Sequence, residues 1–330
     1  MKKIISSNYS IWIGNKSLAK LDVASYSNIA VLVDENTKSK CLNKTEEIFD
    51  NALIIEIRSG EQNKTLATCN SIWKKLTKHK FDRNSILITL GGGVICDMGG
   101  FCASTYKRGI DFIHIPTTLL AMVDASIGGK LGVDFNNLKN QIGLFKNPKS
   151  VIINPDFLET LSEKELRSGF AEVVKHALIS DKNLWKEIIE SSFEKLNWEE
   201  IISRTIELKN DILLADPNEK NIRKKLNFGH TFGHAIESYY LKKGDPILHG
   251  EAVFMGMALE TNLSYLSNSE KNKIKDYILS NFRLPYTPSK KELLNFLRND
   301  KKNKFNKINF SLLNGIGNCT IDNLLNEDEL

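Results

Sequence analysis

Cysteine is scarce and unpaired in this 330-residue chain: Cys41, Cys69, Cys96, Cys102 and Cys319 are odd in number, widely spaced and form no CxxC pair. That argues against a disulfide framework and a thiolate zinc site, and fits a reducing, cytoplasmic compartment. Long apolar runs are missing too. No stretch reaches the roughly 18 apolar residues of a membrane span, so no membrane association is expected. Met1-Lys2-Lys3-Ile4-Ile5 has the start of a signal peptide, but Ser6, Ser7, Asn8 and Tyr9 interrupt any apolar core. Charge of one sign is also lacking: 45 Lys plus Arg against 40 Asp plus Glu leave +5, spread along the chain. This balance does not indicate nucleic acid and suits a small anionic substrate. The densest basic run, Lys301 to Lys307, reads as a solvated face. Internal repeats and low-complexity segments are absent.

What is present is ordinary globular composition, 41% hydrophobic and 26% charged, enough for a substantial core. At roughly 150 residues per domain the length predicts two domains. Over the first half, short β-rich runs (Ile29 to Val33, Leu53 to Ile57, Ser85 to Leu90, Phe112 to Ile115, Val151 to Ile153) alternate with helical patterns, as in a parallel sheet covered by helices. From Ser162 onward the pattern turns to amphipathic helices over 164–179, 182–195, 197–214, 230–242, 250–266, 269–281 and 290–298. The expected organisation is a Rossmann-like α/β domain over 1–160, followed by an all-α domain over 161–330.

Three constellations carry chemistry. The run Ser85 to Leu90 leads into Gly91-Gly92-Gly93 and a helical segment, a place where the backbone can approach a pyrophosphate at a helix N-terminus. Cys96 stands where the third glycine of G-x-G-x-x-G would be, so the fingerprint is incomplete. Asp34, after the first run, is placed either to meet a ribose hydroxyl or to cap a helix. The second constellation, Pro116 to Lys130, sets hydroxyls, Asp124 and Lys130 around a glycine turn suited to phosphate or polyol, with an exposed connection as the alternative. The third gathers Glu172, Lys175, His176, Asn227, His230, His234 and His249. His230 and His234 lie four apart on one helix face, a metal-pair spacing that Glu172 or His249 would complete, with a position left open for substrate or water. His114 reads as a core histidine and His79 as a surface one.

These residues resemble the 3-dehydroquinate synthase family of sugar-phosphate cyclases. The resemblance runs in order through Gly91-Gly92-Gly93-Val94-x-x-Asp97-x-Gly99-Gly100-Phe101, Ile115 to Leu120, Val123-Asp124-x-Ser126-x-Gly128-Gly129-Lys130 and Ala171-Glu172-Val173-x-Lys175. It continues through Leu226-Asn227-x-Gly229-His230-x-x-Gly233-His234, His249-Gly250-Glu251 and Asp300-Lys301-Lys302, so it covers nearly the whole chain. The resemblance implies NAD, a divalent metal (Zn²⁺ or Co²⁺), a cytoplasmic homodimer, and conversion of 3-deoxy-D-arabino-heptulosonate 7-phosphate to 3-dehydroquinate and phosphate in the shikimate pathway, toward chorismate and the aromatic amino acids. The implied steps are NAD-dependent oxidation, phosphate elimination, reduction and intramolecular aldol closure. It implies Glu172, His230 and His249 as metal ligands, with His234 as a proton-handling neighbour in place of a second ligand on that helix. Substrate phosphate would meet Lys130, Asn140 and Arg223, with Arg108 reaching in from a neighbouring subunit. Asp124, Lys175, Lys209, Asn227, His234 and Lys301 or Lys302 would hold the carboxylate and hydroxyls. NAD would lie against Asp34, Asn36, Gly60, Glu61, Lys64, Gly92, Gly93, Val94, Asp97, Thr117, Thr118, Lys130, Lys139, Phe157 and Thr160. The stretch Gly132 to Asn140 lacks a His-Pro common in the family, a change expected to affect loop packing more than chemistry. Sister cyclases that close other sugars, and iron-type dehydrogenases that release NADH, are the rival readings.

Overall fold

A computed structural model of the chain describes residues 1–136, 138–300 and 302–330. It divides into two compact units, Met1–Ser162 with Trp198–Ser203, and Glu163–Asn197 with Arg204–Leu330. Among the described residues no helix is long and apolar enough to cross a membrane.

The first unit contains β1 (Lys2–Ser6), β2 (Tyr9–Ile13), β3 (Ile29–Asp34), α1 (Glu35–Lys40), β4 (Leu53–Ile57), α2 (Leu66–Lys78), β5 (Ile86–Gly91), α3 (Gly93–Thr105), β6 (Asp111–Pro116), β7 (Lys130–Phe135), β8 (Leu138–Phe145) and β9 (Ser150–Ile153). Seven strands form one sheet in the order β1-β2-β9-β6-β5-β3-β4. All its pairings are parallel except β1 with β2. Central β5, Ile-Leu-Ile-Thr-Leu-Gly, is buried along its whole length, as a strand covered on both faces must be. One side of the core packs Leu32, Ile55 and Leu87 against Ile72 and Leu76 of α2 and Met98 and Cys102 of α3. The chain moves outward from β3 to β4, returns to β5 on the other side of β3, and continues through β6. The carboxyl ends of β3 and β5 therefore flank the point where strand order reverses, which is where open α/β sheets bind ligands. Strands β7 and β8 form a separate antiparallel hairpin with an irregularity between Val133 and Phe135, and Asp134 of β7 also bridges to Thr65.

The second unit holds α4 (Glu163–Ser180), α5 (Lys182–Glu190), most of α6 (Trp198–Ala215), α7 (His230–Lys243), α8 (His249–Leu263), α9 (Asn268–Asn281) and α10 (Lys290–Arg298). The expectation of an all-α unit is corrected by a two-stranded antiparallel ribbon, β10 (Ile308–Leu313) with β11 (Cys319–Leu325). Ile-Asn-Phe-Ser-Leu-Leu has the period of a strand. Phe310 and Leu312 join Phe232, Ile236, Leu293 and Leu297 in the core of this unit, which is why the ribbon is buried along β10. Two glycines of α8 set the helix approaches. A Cβ on Gly256 would lie 2.0 Å from the Gly229 carbonyl oxygen, and one on Gly250 would lie 1.9 Å from that of Ser168. Only glycine lets α8 come this close to both α7 and α4, and the expected metal ligands sit on these three helices.

Candidate metal and dinucleotide sites

In the first unit the residues expected to hold NAD follow the carboxyl ends of successive parallel strands. Asp34 ends β3, and Gly60, Glu61 and Lys64 follow β4. Gly92 to Asp97 follow β5, Thr117 and Thr118 follow β6, and Phe157 and Thr160 follow β9. The start of α3 has no side-chain cap, because its N-cap residue is Gly92. Its first-turn N–H groups and the dipole end suit a pyrophosphate. A Cβ at Gly92 would press on Thr118 Cγ2 at 3.1 Å, and one at Gly93 on Ala125 Cβ at 3.3 Å. The packing glycine missing at Cys96 is supplied further on. A Cβ on Gly99 would meet Thr89 Cγ2, and one on Gly100 would meet Leu131 Cδ2, each at 2.4 Å, so these two carry the helix–strand approach.

Asp34 is a helix cap: its Oδ1 accepts from the Thr37 N–H at 2.8 Å, and its own N–H donates to Thr37 Oγ1 at 3.0 Å. Asn36 is exposed in the same short helix. Buried Lys64 donates to Asp97 Oδ2 and to Asn140 Oδ1, both at 2.6 Å. Lys139 Nζ and Lys64 Nζ both approach Glu61 Oε1, at 3.8 and 4.0 Å. Burial opposes a charged Lys64, but Asp97 and Glu61 outweigh it and raise its pKa. Asn140 has φ +50, a left-handed conformation that asparagine tolerates better than most residues. Asp124 lies in a π-helical turn over Ala121–Ala125, a local widening frequent at functional sites, where the sequence suggested only a glycine turn. Lys130 opens β7 with an exposed side chain. Arg108 is exposed at φ +71, between Lys107 at +49 and Gly109 at +112. His114 is a core residue on Thr89 Oγ1 at 2.7 Å, its pKa lowered by burial to about 3, and His79 is exposed.

In the second unit Glu172, His230 and His249 each offer a ligand atom, and these atoms lie within 4.8 Å of one another. His234 stands beside this group and outside it, its ring centroid 5.3 Å from that of His230 and 6.2 Å from that of His249. Glu172 is fully buried, and its carboxylate faces the Lys175 ammonium and two imidazoles. Lys175 Nζ contacts Oε2, while His230 Nε2 and His249 Nε2 stand 3.4 and 3.9 Å from Oε1. Burial would raise the carboxyl, but Lys175 and then His230 outweigh it and hold it well below the usual carboxylate range. Both histidines are oriented through Nδ1, His230 by the Phe228 carbonyl oxygen at 3.1 Å and His249 by Glu237 Oε2 at 3.5 Å. An acceptor at Nδ1 leaves the Nε2 lone pair facing Glu172, the arrangement of a ligand supported from behind. A buried carboxylate beside two such imidazoles fits a divalent cation.

Of the expected substrate groups, Lys209 and Arg223 are buried, and Asn227 Nδ2 donates to Glu219 Oε1 at 3.2 Å. Asn227 and Lys302 line one cavity of about 350 Å³ with Lys224, Asn309 and Asp322. Lys302 Nζ approaches Thr231 Oγ1 and Asp300 Oδ2, each at 3.3 Å. Lys301 lies outside the described residues. Sequence reasoning missed Glu237 and Glu260. The first sits one helical turn after His234 and had a signal in that spacing; the second had none.

Fold and sites together define a two-unit protein with a glycine turn suited to a dinucleotide and a side-chain group suited to a divalent cation. The family model described as 3-dehydroquinate synthase N-terminal matches residues 54–168, and the C-terminal one matches 169–303. A 3-dehydroquinate synthase of Parabacteroides distasonis is 39% identical over 92% of this chain and 90% of its own length. That of Campylobacter jejuni is 43% identical over 87% and 84%. Among solved structures, 2-deoxy-scyllo-inosose synthase complexed with carbaglucose-6-phosphate, NAD⁺ and Co²⁺ covers 99% of this chain and 97% of its own, with a TM-score of 0.85 at 22% identity, a likeness of fold. The chain belongs to the 3-dehydroquinate synthase family.

Proposed function

We propose that this chain closes 3-deoxy-D-arabino-heptulosonate 7-phosphate to 3-dehydroquinate with loss of phosphate, the relatives being named for that product. The group Glu172, His230 and His249, built around a fully buried carboxylate, carries the reading. When bound, NAD⁺ supplies a reversible hydride acceptor and the divalent metal a Lewis acid for an alcohol oxygen. The Glu172 carboxylate and the two Nε2 atoms hold the cation, and Lys175 keeps that carboxylate ionised. The uncapped start of α3 takes the pyrophosphate where Gly92 and Gly93 clear the backbone, with Val94, Asp97, Thr117 and Thr118 around it. Asp34 and Asn36, then Gly60, Glu61 and Lys64, and Lys130, Lys139, Phe157 and Thr160 complete the cofactor contacts.

Lys130, Asn140 and Arg223 receive the substrate phosphate, with Arg108 contributed by a second copy in a cytoplasmic homodimer. Several cations suit a substrate bearing both phosphate and carboxylate. Lys175, Lys209, Asn227 and Asp124 orient the carboxylate and hydroxyls, with Lys301 or Lys302, and the His234 imidazole holds a proton in transit. Arg108, Asn140, Lys209, Arg223 and Asn227 favour a carboxylate-bearing sugar over the substrates of sister cyclases. The test is phosphate release from the heptulosonate phosphate with catalytic NAD, with and without a chelator. Many turnovers per NAD, no net NADH and loss of release with chelator are expected. Net NADH, or no release from metal- and NAD-loaded protein, would move the assignment to a dehydrogenase or a sister cyclase.

A further inference from the structure

Helix α7 begins without a cap of its own. Its N-cap residue is Gly229, left-handed at φ +79, with no side chain to accept from the first turn. A serine or aspartate would be the usual solution at this position. It is blocked here, because a Cβ on Gly229 would lie 2.4 Å from Met257 Cγ and 3.2 Å from the Val253 carbonyl oxygen. The acceptors come from α8 instead. Glu260 Oε2 accepts from the Gly229 N–H at 2.6 Å, and Oε1 accepts from the N–H groups of Thr231 and Phe232, each at 3.0 Å. Glu260 is fully buried, and an isolated carboxylate there would be costly. Three N–H donors and the positive end of a helix dipole offset part of that cost, and burial still pushes the carboxyl up to about 8.

The residue enclosed by these bonds is His230. Its backbone is held on both sides, by Gly229 and by Thr231, while its ring is held at Nδ1 by the Phe228 carbonyl. Thr231 also donates through Oγ1 to the Asn309 carbonyl at 3.1 Å and receives Lys302 Nζ at 3.3 Å. We propose that Glu260 is a positioning residue of the metal site: by capping α7 from α8 it fixes the backbone of His230 and so the direction of its Nε2. This rests on the reading of His230 as a metal ligand. Glutamine at 260 keeps the size but turns an N–H₂ group toward a backbone N–H, so one side of the cap fails.

The test uses the purified metal-free chain, titrated with Co²⁺ against a competing chelator, with the visible bands of bound Co²⁺, the melting temperature and NAD affinity recorded together. Glu260→Gln is expected to weaken Co²⁺ by about 10- to 100-fold, the usual cost of losing a group that orients a ligand. Its Co²⁺ bands should shift while NAD affinity stays unchanged. A folded Glu260→Gln with wild-type Co²⁺ affinity and bands, whatever its melting temperature, would make the role merely structural and overturn the proposal. Amide exchange in the wild-type chain is the second measurement, and it holds even where the variant does not fold. Slow exchange at Gly229, Thr231 and Phe232 is expected; exchange at the rate of an unstructured chain would overturn the cap. His230→Ala in the same titration separates the two readings: undiminished Co²⁺ affinity there would sink the ligand assignment itself.

Discussion

At the scale of single residues, the chemistry of the metal group is decided by which nitrogen of each histidine is engaged. His230 and His249 have Nδ1 on an acceptor and turn Nε2 toward Glu172. His234, with equally good helical spacing, lies outside the group. The i, i+4 pattern alone made His230 and His234 a pair, and family motifs were needed to bring His249 in place of His234. The reason is geometric: His230 is the first residue of α7, and its partners come from α4 and α8, elements that a local window cannot see. His249→Ala should therefore lower Co²⁺ or Zn²⁺ affinity by more than the roughly 10- to 100-fold expected of an orienting neighbour, and leave NAD affinity intact. His234→Ala should keep its metal and lose rate. Metal content after dialysis, paired with phosphate release, checks both, and loss of metal from His234→Ala would restore the histidine pair.

Among the elements, the parallel strands were legible because each is a short β-branched run, and the helices because their apolar periodicity is long. The two ribbons were not. In β7–β8 the residues Asn136 and Asn140 take left-handed conformations that break the pattern, and β10 follows a Lys-rich stretch that reads as exposed surface. The β10–β11 ribbon is tied down by Asp322. Its Oδ2 accepts from Lys224 Nζ at 2.7 Å, and its Oδ1 accepts from Asn309 Nδ2 at 2.9 Å and faces Lys304 Nζ at 3.4 Å. The Lys224 and Asn309 hydrogen bonds lower its carboxyl to about 2. A folded-state pKa below the unfolded one gives stability that is present above the unfolded value, near 4, and fades as pH falls toward 2. Asp322→Asn tolerates the left-handed backbone, so the charge is what it removes. It should lower stability at pH 7 by no more than about 1 kcal/mol, since the group is partly exposed. Urea midpoints measured from pH 7 to pH 2 should converge for the two proteins below pH 4; a constant gap across that range would refute the linkage.

For the molecule as a whole, the glycine turn proposed for the dinucleotide lies in one unit and the proposed metal group in the other, and the family match runs through both, over 54–168 and 169–303. Arg108 is the residue that the proposed homodimer lends to a neighbouring site. It is exposed in a left-handed turn with Lys107 and Gly109, a conformation that costs of order 1–3 kcal/mol where it is not glycine. A strained turn that presents an arginine to solvent makes sense if a second copy uses the guanidinium, as the proposed homodimer requires. Complementation decides this. Arg108→Ala and His249→Ala should each be inactive alone. In a mixed dimer, the Arg108→Ala copy keeps its metal group and receives an intact arginine from its partner, so one of the two sites works. Random reassortment of equal amounts makes half of the dimers mixed, so activity should return to about a quarter of the wild-type value per total protein. If Arg108 instead serves its own chain, neither site in the mixed dimer is complete, and mixing restores nothing.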